Sequence, residues 1–136
     1  MNVERQYDVV VFGASGYTGR LVAEYLNNQY GVNGEVVWAM AGRSQSKLEQ
    51  VRDEMGISAD LPLVVADSSN LDSIKAMVER TAVVCTTVGP YQLYGNELVA
   101  TCAAAGTDYV DLCGEPAWMH QMIGAHSAAA EASGAR

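Results

Sequence analysis

Residues 7–19 read Tyr-Asp-Val-Val-Val-Phe-Gly-Ala-Ser-Gly-Tyr-Thr-Gly, a mostly apolar run leading straight into three glycines spaced three apart, Gly13, Gly16 and Gly19. Apolar residues at helical spacing follow at once: Leu21, Val22, Tyr25 and Leu26 share one face of residues 20–30. A buried strand that must reverse into a helix this quickly needs glycine at the turn. The first glycine permits the tight turn, the second lets the backbone come close to an anionic ligand, and the third lets helix pack against strand. The first N–H groups of such a helix have no intrahelical partner and form a positive pole suited to phosphate. Ser15, Tyr17 and Thr18 lie among the glycines and complete the expected phosphate cradle.

The same alternation continues along the chain. Apolar runs at residues 7–12, 35–41, 61–66, 82–86 and 108–112 have the continuous hydrophobicity of strands buried on both faces of a parallel sheet. Helical patterns lie between them. Ser46 and Glu49 form a capping box for a second helix over 46–55, and Asn70 opens a third that carries Leu71, Ile74, Met77 and Val78. A fourth is predicted over 95–105, ended by Gly106, and a fifth from Pro116 to about residue 133, ended by Gly134. Five strands alternating with helices predict one α/β domain over residues 1–136, a doubly wound parallel sheet of the Rossmann type in three layers. The pattern ends on a helix, where a six-stranded sheet would next require its last strand. The expectation is therefore a domain truncated before the sixth strand.

Composition narrows the function. The chain is 49% hydrophobic and carries a net charge of −8, with no basic half, so a nucleic-acid surface is not expected. An acidic protein that holds a polyanion needs local devices such as a helix N-terminus and one well-placed cation. Cys85, Cys102 and Cys113 are odd in number and form no C-x-x-C pair, which predicts reduced and mostly buried thiols. His120 and His126, six apart on one helix, do not have metal-ligand spacing, and no metal is expected. Residues 1–8 lack the apolar core of a leader, and no stretch is long enough to span a membrane. A cytoplasmic location is expected.

Further candidate site residues follow the strands. Between Val36 and Gln45 there is no acid of the kind that would hold a ribose 2′-hydroxyl; Arg43 and Ser44 stand there instead. A guanidinium and a hydroxyl suit a 2′-phosphate, so NADP is expected over NAD. Asp67, after the third strand, is placed to accept from the adenine amine or, equally, to cap the Asp67-Ser-Ser-Asn70 turn. After the fourth strand, Thr86-Thr87-Val88-Gly89-Pro90-Tyr91 lies where strand order reverses. Val88, Gly89 and Pro90 are read as backing the cofactor ribose, and Tyr91 as reaching toward the nicotinamide. Asp111, Cys113 and Glu115 follow the fifth strand, placed to face a substrate, to cap the next helix or to contact a domain beyond this one. None has a defensible catalytic role.

Taken in order, residues 8–19, Ala41-Gly-Arg43, Thr87-Val-Gly-Pro-Tyr91 and Tyr109-Val-Asp-Leu-Cys-Gly-Glu115 resemble the N-terminal domain of saccharopine dehydrogenase-like oxidoreductases, which include trans-acting enoyl reductase-like proteins. The G-x-x-G-x-x-G spacing is associated with NADP-using members of such families. The resemblance implies an NADP-binding domain followed, in the full-length protein, by an α+β domain that takes a small-molecule substrate for hydride transfer and often mediates dimerisation. This part alone is then expected to bind cofactor without catalysing. The alternative is a non-catalytic NADP-binding redox sensor or interaction module. A sheet lacking its last strand leaves apolar surface uncovered, which predicts a homo-oligomer.

Overall fold

The computed structural model describes residues 4–136; the first three residues of the segment expected not to be a leader lie outside it. Five strands, β1 (Tyr7–Phe12), β2 (Trp38–Gly42), β3 (Leu63–Val65), β4 (Thr81–Thr86) and β5 (Asp108–Val110), form one parallel sheet in the order β3-β2-β1-β4-β5. Helices α1 (Tyr17–Tyr30), α2 (Gln45–Glu54), α3 (Leu71–Glu79), α4 (Tyr91–Tyr94), α5 (Asn96–Ala105) and α6 (Pro116–Ser133) complete the domain. The doubly wound α/β architecture is the one the alternation predicts. The strand order reverses beside β1, which opens a crevice at the carboxyl ends of β1 and β4.

Several boundaries differ from the sequence reading. α1 begins at Tyr17 rather than at residue 20, so the last residues of the glycine loop are already helical. The capping box at Ser46 does not form. Ser44 is the cap of α2, its Oγ accepting the Lys47 N–H at 3.3 Å, because β2 runs on to Gly42 and leaves only Arg43 before the cap. Asn70 caps α3 as expected, accepting the Ser73 N–H at 3.1 Å. The predicted fourth helix is two: α4 ends at Gly95 and α5 begins there.

Alternating side chains feed two cores. On one face Val10, Phe12, Ala39, Ala41 and Val84 pack with Ile74, Met77 and Val78 of α3 and Leu98 and Cys102 of α5. On the other, Val11, Trp38 and Met40 pack with Ala23 of α1 and Leu48 and Val51 of α2. Leu48 is wholly buried and seals α2 against the carboxyl end of β2: a Cβ on Gly42 would lie 3.3 Å from its Cδ2. Leu48→Ala is expected to lower stability by about 2–5 kcal/mol in urea denaturation, the usual cost of a core cavity. A loss below about 1 kcal/mol would show that this contact does not seal the layer.

The second face is finished only over β1 to β3. In the paired register Val9, Val83 and Asp108 share that face, as do Val11, Cys85 and Val110 one step on. Exposure rises along the second row, from fully buried Val11 through half-buried Cys85 to Val110, 49% exposed. Leu112 beyond β5 is exposed as well, as are Tyr17, Leu21 and Tyr25, which recur every four residues on α1. No helix among the described residues is long and apolar enough to cross a membrane.

Candidate functional site

The glycine loop is shaped by contacts that a side chain would destroy. Gly13 has φ +87°, and a Cβ there would fall 2.8 Å from both Thr87 Oγ1 and Val88 Cγ2. A Cβ on Gly19 would lie 1.9 Å from the Gly13 carbonyl oxygen and 2.6 Å from its carbon. Both glycines are required by the fold itself. The Gly13 carbonyl also accepts the Gly16 N–H at 3.0 Å, closing the turn.

Gly16 is different. Its φ of −80° and ψ of 172° suit any residue, its surface is exposed, and a Cβ would meet only the Gly13 oxygen at 3.4 Å. Nothing inside the protein requires glycine there. Gly16 is the N-cap of α1, whose first turn has neither a capping side chain nor an acid, whereas α2 and α3 are capped by Ser44 and Asn70. The opening N–H groups of α1 are thus left for a group outside the chain.

Beside this loop lies a cleft of about 500 Å³. Phe12, Gly13 and Ser15 form its floor, Gly42 and Arg43 one wall, Asp67, Ser68 and Ser69 the next, and Val88, Gly89, Leu93 and Tyr94 the far wall. The structure therefore brings Gly13, Ser15, Arg43, Asp67, Val88 and Gly89 together from four βα junctions. Thr18 is half-buried and Tyr17 85% exposed in the first turn of α1. Ser44 does not line the cleft; its hydroxyl caps α2 and lies 3.2 Å from that of Ser46. Pro90, in a cis peptide with Gly89, is exposed just outside it.

Charge at the rim is arranged asymmetrically. Arg5, Arg20, Arg52 and Arg80 each donate hydrogen bonds within the protein. Arg43, exposed at the cleft, takes part in no hydrogen bond or ion pair among the described residues. Asp67 Oδ1 accepts the Ser69 N–H at 2.9 Å and the Ser69 hydroxyl at 2.8 Å. These two bonds, with the nearby charge of Arg43 as a smaller contribution, hold its carboxyl below the usual 3.8. The turn's contribution to stability is accordingly present at neutral pH and is lost as pH falls through the folded-state value. Asp67 does what its turn reading predicts, with Oδ2 left over.

Several side chains after β4 and β5 are spent on contacts within the protein. Tyr91 does not reach into the cleft as expected: it is 6% exposed, its hydroxyl lies 3.4 Å from the Thr86 carbonyl, and its ring packs 5.6 Å from that of Trp118. Asp111 accepts the Tyr109 hydroxyl at 2.6 Å and the Cys113 N–H at 2.9 Å. Glu115 binds the backbone of Tyr91 and Gln92. Burial pushes the Cys102 thiol up to about 12 and raises Cys85 as well, so neither is a ready nucleophile. Among the described residues no three histidine, cysteine or acidic side chains converge as metal ligands. Ser68, Ser69, Leu93 and Tyr94 are cleft residues that the sequence reading missed.

Comparisons with known proteins bear on this arrangement. The family model of the saccharopine dehydrogenase NADP binding domain matches residues 9–136. A trans-acting enoyl reductase of Mycobacterium leprae is 46% identical over 134 residues, 98% of this chain but 31% of that protein. The chain thus spans about a third of the length of the curated relatives it matches. Among solved structures, the Saccharomyces cerevisiae saccharopine dehydrogenase (L-Glu forming) superposes with a TM-score of 0.63 at 16% identity, over 84% of this chain and 23% of that one. Citrobacter triphenylmethane reductase complexed with NADP(H) gives 0.65 at 16% identity, over 93% and 46%. At such identity these two likenesses concern the fold.

Proposed function

Since the chain belongs to the family of saccharopine dehydrogenase NADP-binding domains, we propose that the cleft beside β1 holds NADP(H) in one orientation. The pyrophosphate lies over Gly13, Ser15, Gly16, Tyr17, Thr18 and Gly19, and the 2′-phosphate meets Arg43 with Ser44 behind it. The adenine amine lies by Asp67, and Val88, Gly89 and Pro90 back the ribose. The observation that carries this reading is Gly16, a glycine the fold does not need, at the uncapped start of α1. A backbone without a Cβ at the opening of a helix lets a pyrophosphate approach its N–H groups closely. The unpaired guanidinium of Arg43 in the same cleft suits a phosphate.

When bound, the reduced nicotinamide supplies a hydride. The work of this domain is to hold that group in place and exclude other orientations. For the longer parent protein we assign an oxidoreductase activity in which hydride passes from the nicotinamide to one carbon of an activated alkene and a proton from solvent to the other, leaving the oxidised cofactor. The name of the M. leprae relative, 46% identical, supports that assignment. A second domain would bring the substrate. Two observations support this: relatives about three times as long, and the partly bare sheet face of Val83, Cys85 and Val110. In this reading the domain binds and orients the cofactor, and turnover requires the substrate domain as well.

The test is a calorimetric titration of the purified chain with NADPH and NADH. NADPH is expected to bind at least roughly tenfold more tightly, about 1.4 kcal/mol. Equal affinities would remove the 2′-phosphate role from the rim at Arg43. Binding of neither nucleotide would contradict the cofactor reading for this domain on its own.

A further inference from the structure

Glu115 has a use that the cofactor contacts alone do not explain. It stands immediately before α6, where a carboxylate commonly caps its own helix, yet its side chain makes no such bond. It reaches back across the chain instead. Oε2 accepts the Tyr91 N–H at 2.7 Å and Oε1 accepts the Gln92 N–H at 3.1 Å, so both oxygens are spent on the start of α4. Hydrogen bonds to an ionised acceptor are among the stronger ones available to a backbone.

α4 is a single turn and cannot hold its own position. Its outer residues, Leu93 and Tyr94, form the far wall of the cleft together with Val88 and Gly89. Behind it the packing is tight. Tyr91 lies against Trp118, the Trp118 indole donates to Asn96 Oδ1 at 2.7 Å, and a Cβ on Gly95 would sit 2.7 Å from Trp118 Cζ2. The opening of α6 thus holds α4 from behind while α4 faces the cleft.

We infer that Glu115 is a positioning residue for the cofactor wall, fixing residues 88–94 at the distance a dinucleotide requires. The inference rests on the cofactor reading of that cleft. It accounts for a half-buried carboxylate without giving it a chemical step.

The experiment compares the wild-type chain with Glu115→Ala and Glu115→Gln by residue-resolved amide hydrogen exchange and by NADPH titration. In Glu115→Ala the amides of Tyr91 and Gln92 are expected to lose protection while those of Val10 and Val11 keep it, and NADPH should bind roughly tenfold more weakly. Glu115→Gln keeps one good acceptor and should fall between, losing roughly threefold, which also serves if the alanine variant does not fold. Three results overturn the inference: NADPH affinity unchanged although the two amides exchange faster, unchanged exchange at those amides, or equal loss of protection at Val10 and Val11. A wild-type chain that binds no NADPH overturns the cofactor reading and this inference with it. That failure is recognisable because the exchange comparison needs no ligand.

Discussion

Gly19→Ala is expected to lower stability by about 3 kcal/mol and to abolish measurable NADPH binding, whereas Gly16→Ala leaves the fold nearly intact and loses binding alone. Alanine is the better helix former by about 1 kcal/mol, so propensity by itself would favour the first substitution. Packing decides against it. The new methyl would enter the Gly13 carbonyl at 1.9 Å, with the Ala14 Cα of the same peptide unit at 2.8 Å, and neither is a flexible side chain that can step away. Relief requires moving α1 off β1, which opens the turn closed by the Gly16 N–H to the Gly13 oxygen. At Gly16 the methyl meets one atom at ordinary contact distance, and the cost is that of a poorer cap, under about 1 kcal/mol. The same methyl stands where the pyrophosphate must come closest. A loss of roughly 10- to 100-fold in NADPH affinity is expected. Urea denaturation and calorimetry on both variants check this, and wild-type NADPH affinity in Gly16→Ala would remove the pyrophosphate from this loop.

Arg43→Ala should weaken NADPH by about 1–3 kcal/mol, the range for a lost charge-assisted hydrogen bond, and leave NADH nearly unchanged. Arg43 is exposed and makes no internal bond among the described residues, so its removal breaks no hydrogen bond or ion pair and withdraws only a small favourable charge from Asp67. Its neighbours support a selective effect: Asp67 already spends Oδ1 on Ser69, and Ser44 already caps α2. Among the described residues no other basic side chain lines the cleft to take over a 2′-phosphate. Parallel titrations with the two nucleotides decide the matter; equal weakening of NADH would make Arg43 a general electrostatic attractor rather than the 2′-phosphate contact.

How much of this could be read in the chain depends on whether the signal was local. β1 was legible to the residue, because a strand flanked by two others is apolar on both faces and ends in glycine. The start of α1 was not, since Tyr-Thr-Gly looks like more loop. Only the contact of Gly19 with Gly13 shows that its glycine serves helix packing. Ser46 was read as the cap of α2, and the end of β2 at Gly42, a matter of pairing with Val65, gave that place to Ser44. A four-residue α4 leaves no periodicity to detect. Leu93 and Tyr94 were missed for the same reason, and Tyr91 was misread because its partner, Trp118, is distant in sequence. That Gly13, Ser15, Arg43, Asp67, Val88 and Gly89 meet in one cleft was legible because parallel strands deliver every βα junction to one edge of the sheet.

β1 lies at the middle of the sheet, paired on both sides and covered above and below. The glycine loop hangs directly from its end and is fastened again by the Ala41 carbonyl, which accepts the N–H groups of Gly13 at 3.0 Å and Ala14 at 3.1 Å. A loop so anchored loses little freedom when a ligand arrives, and the entropy of ordering it has been met during folding rather than at association. The weakest nucleotide fragments that carry a pyrophosphate should therefore gain from this loop almost as much per contact as the whole cofactor does.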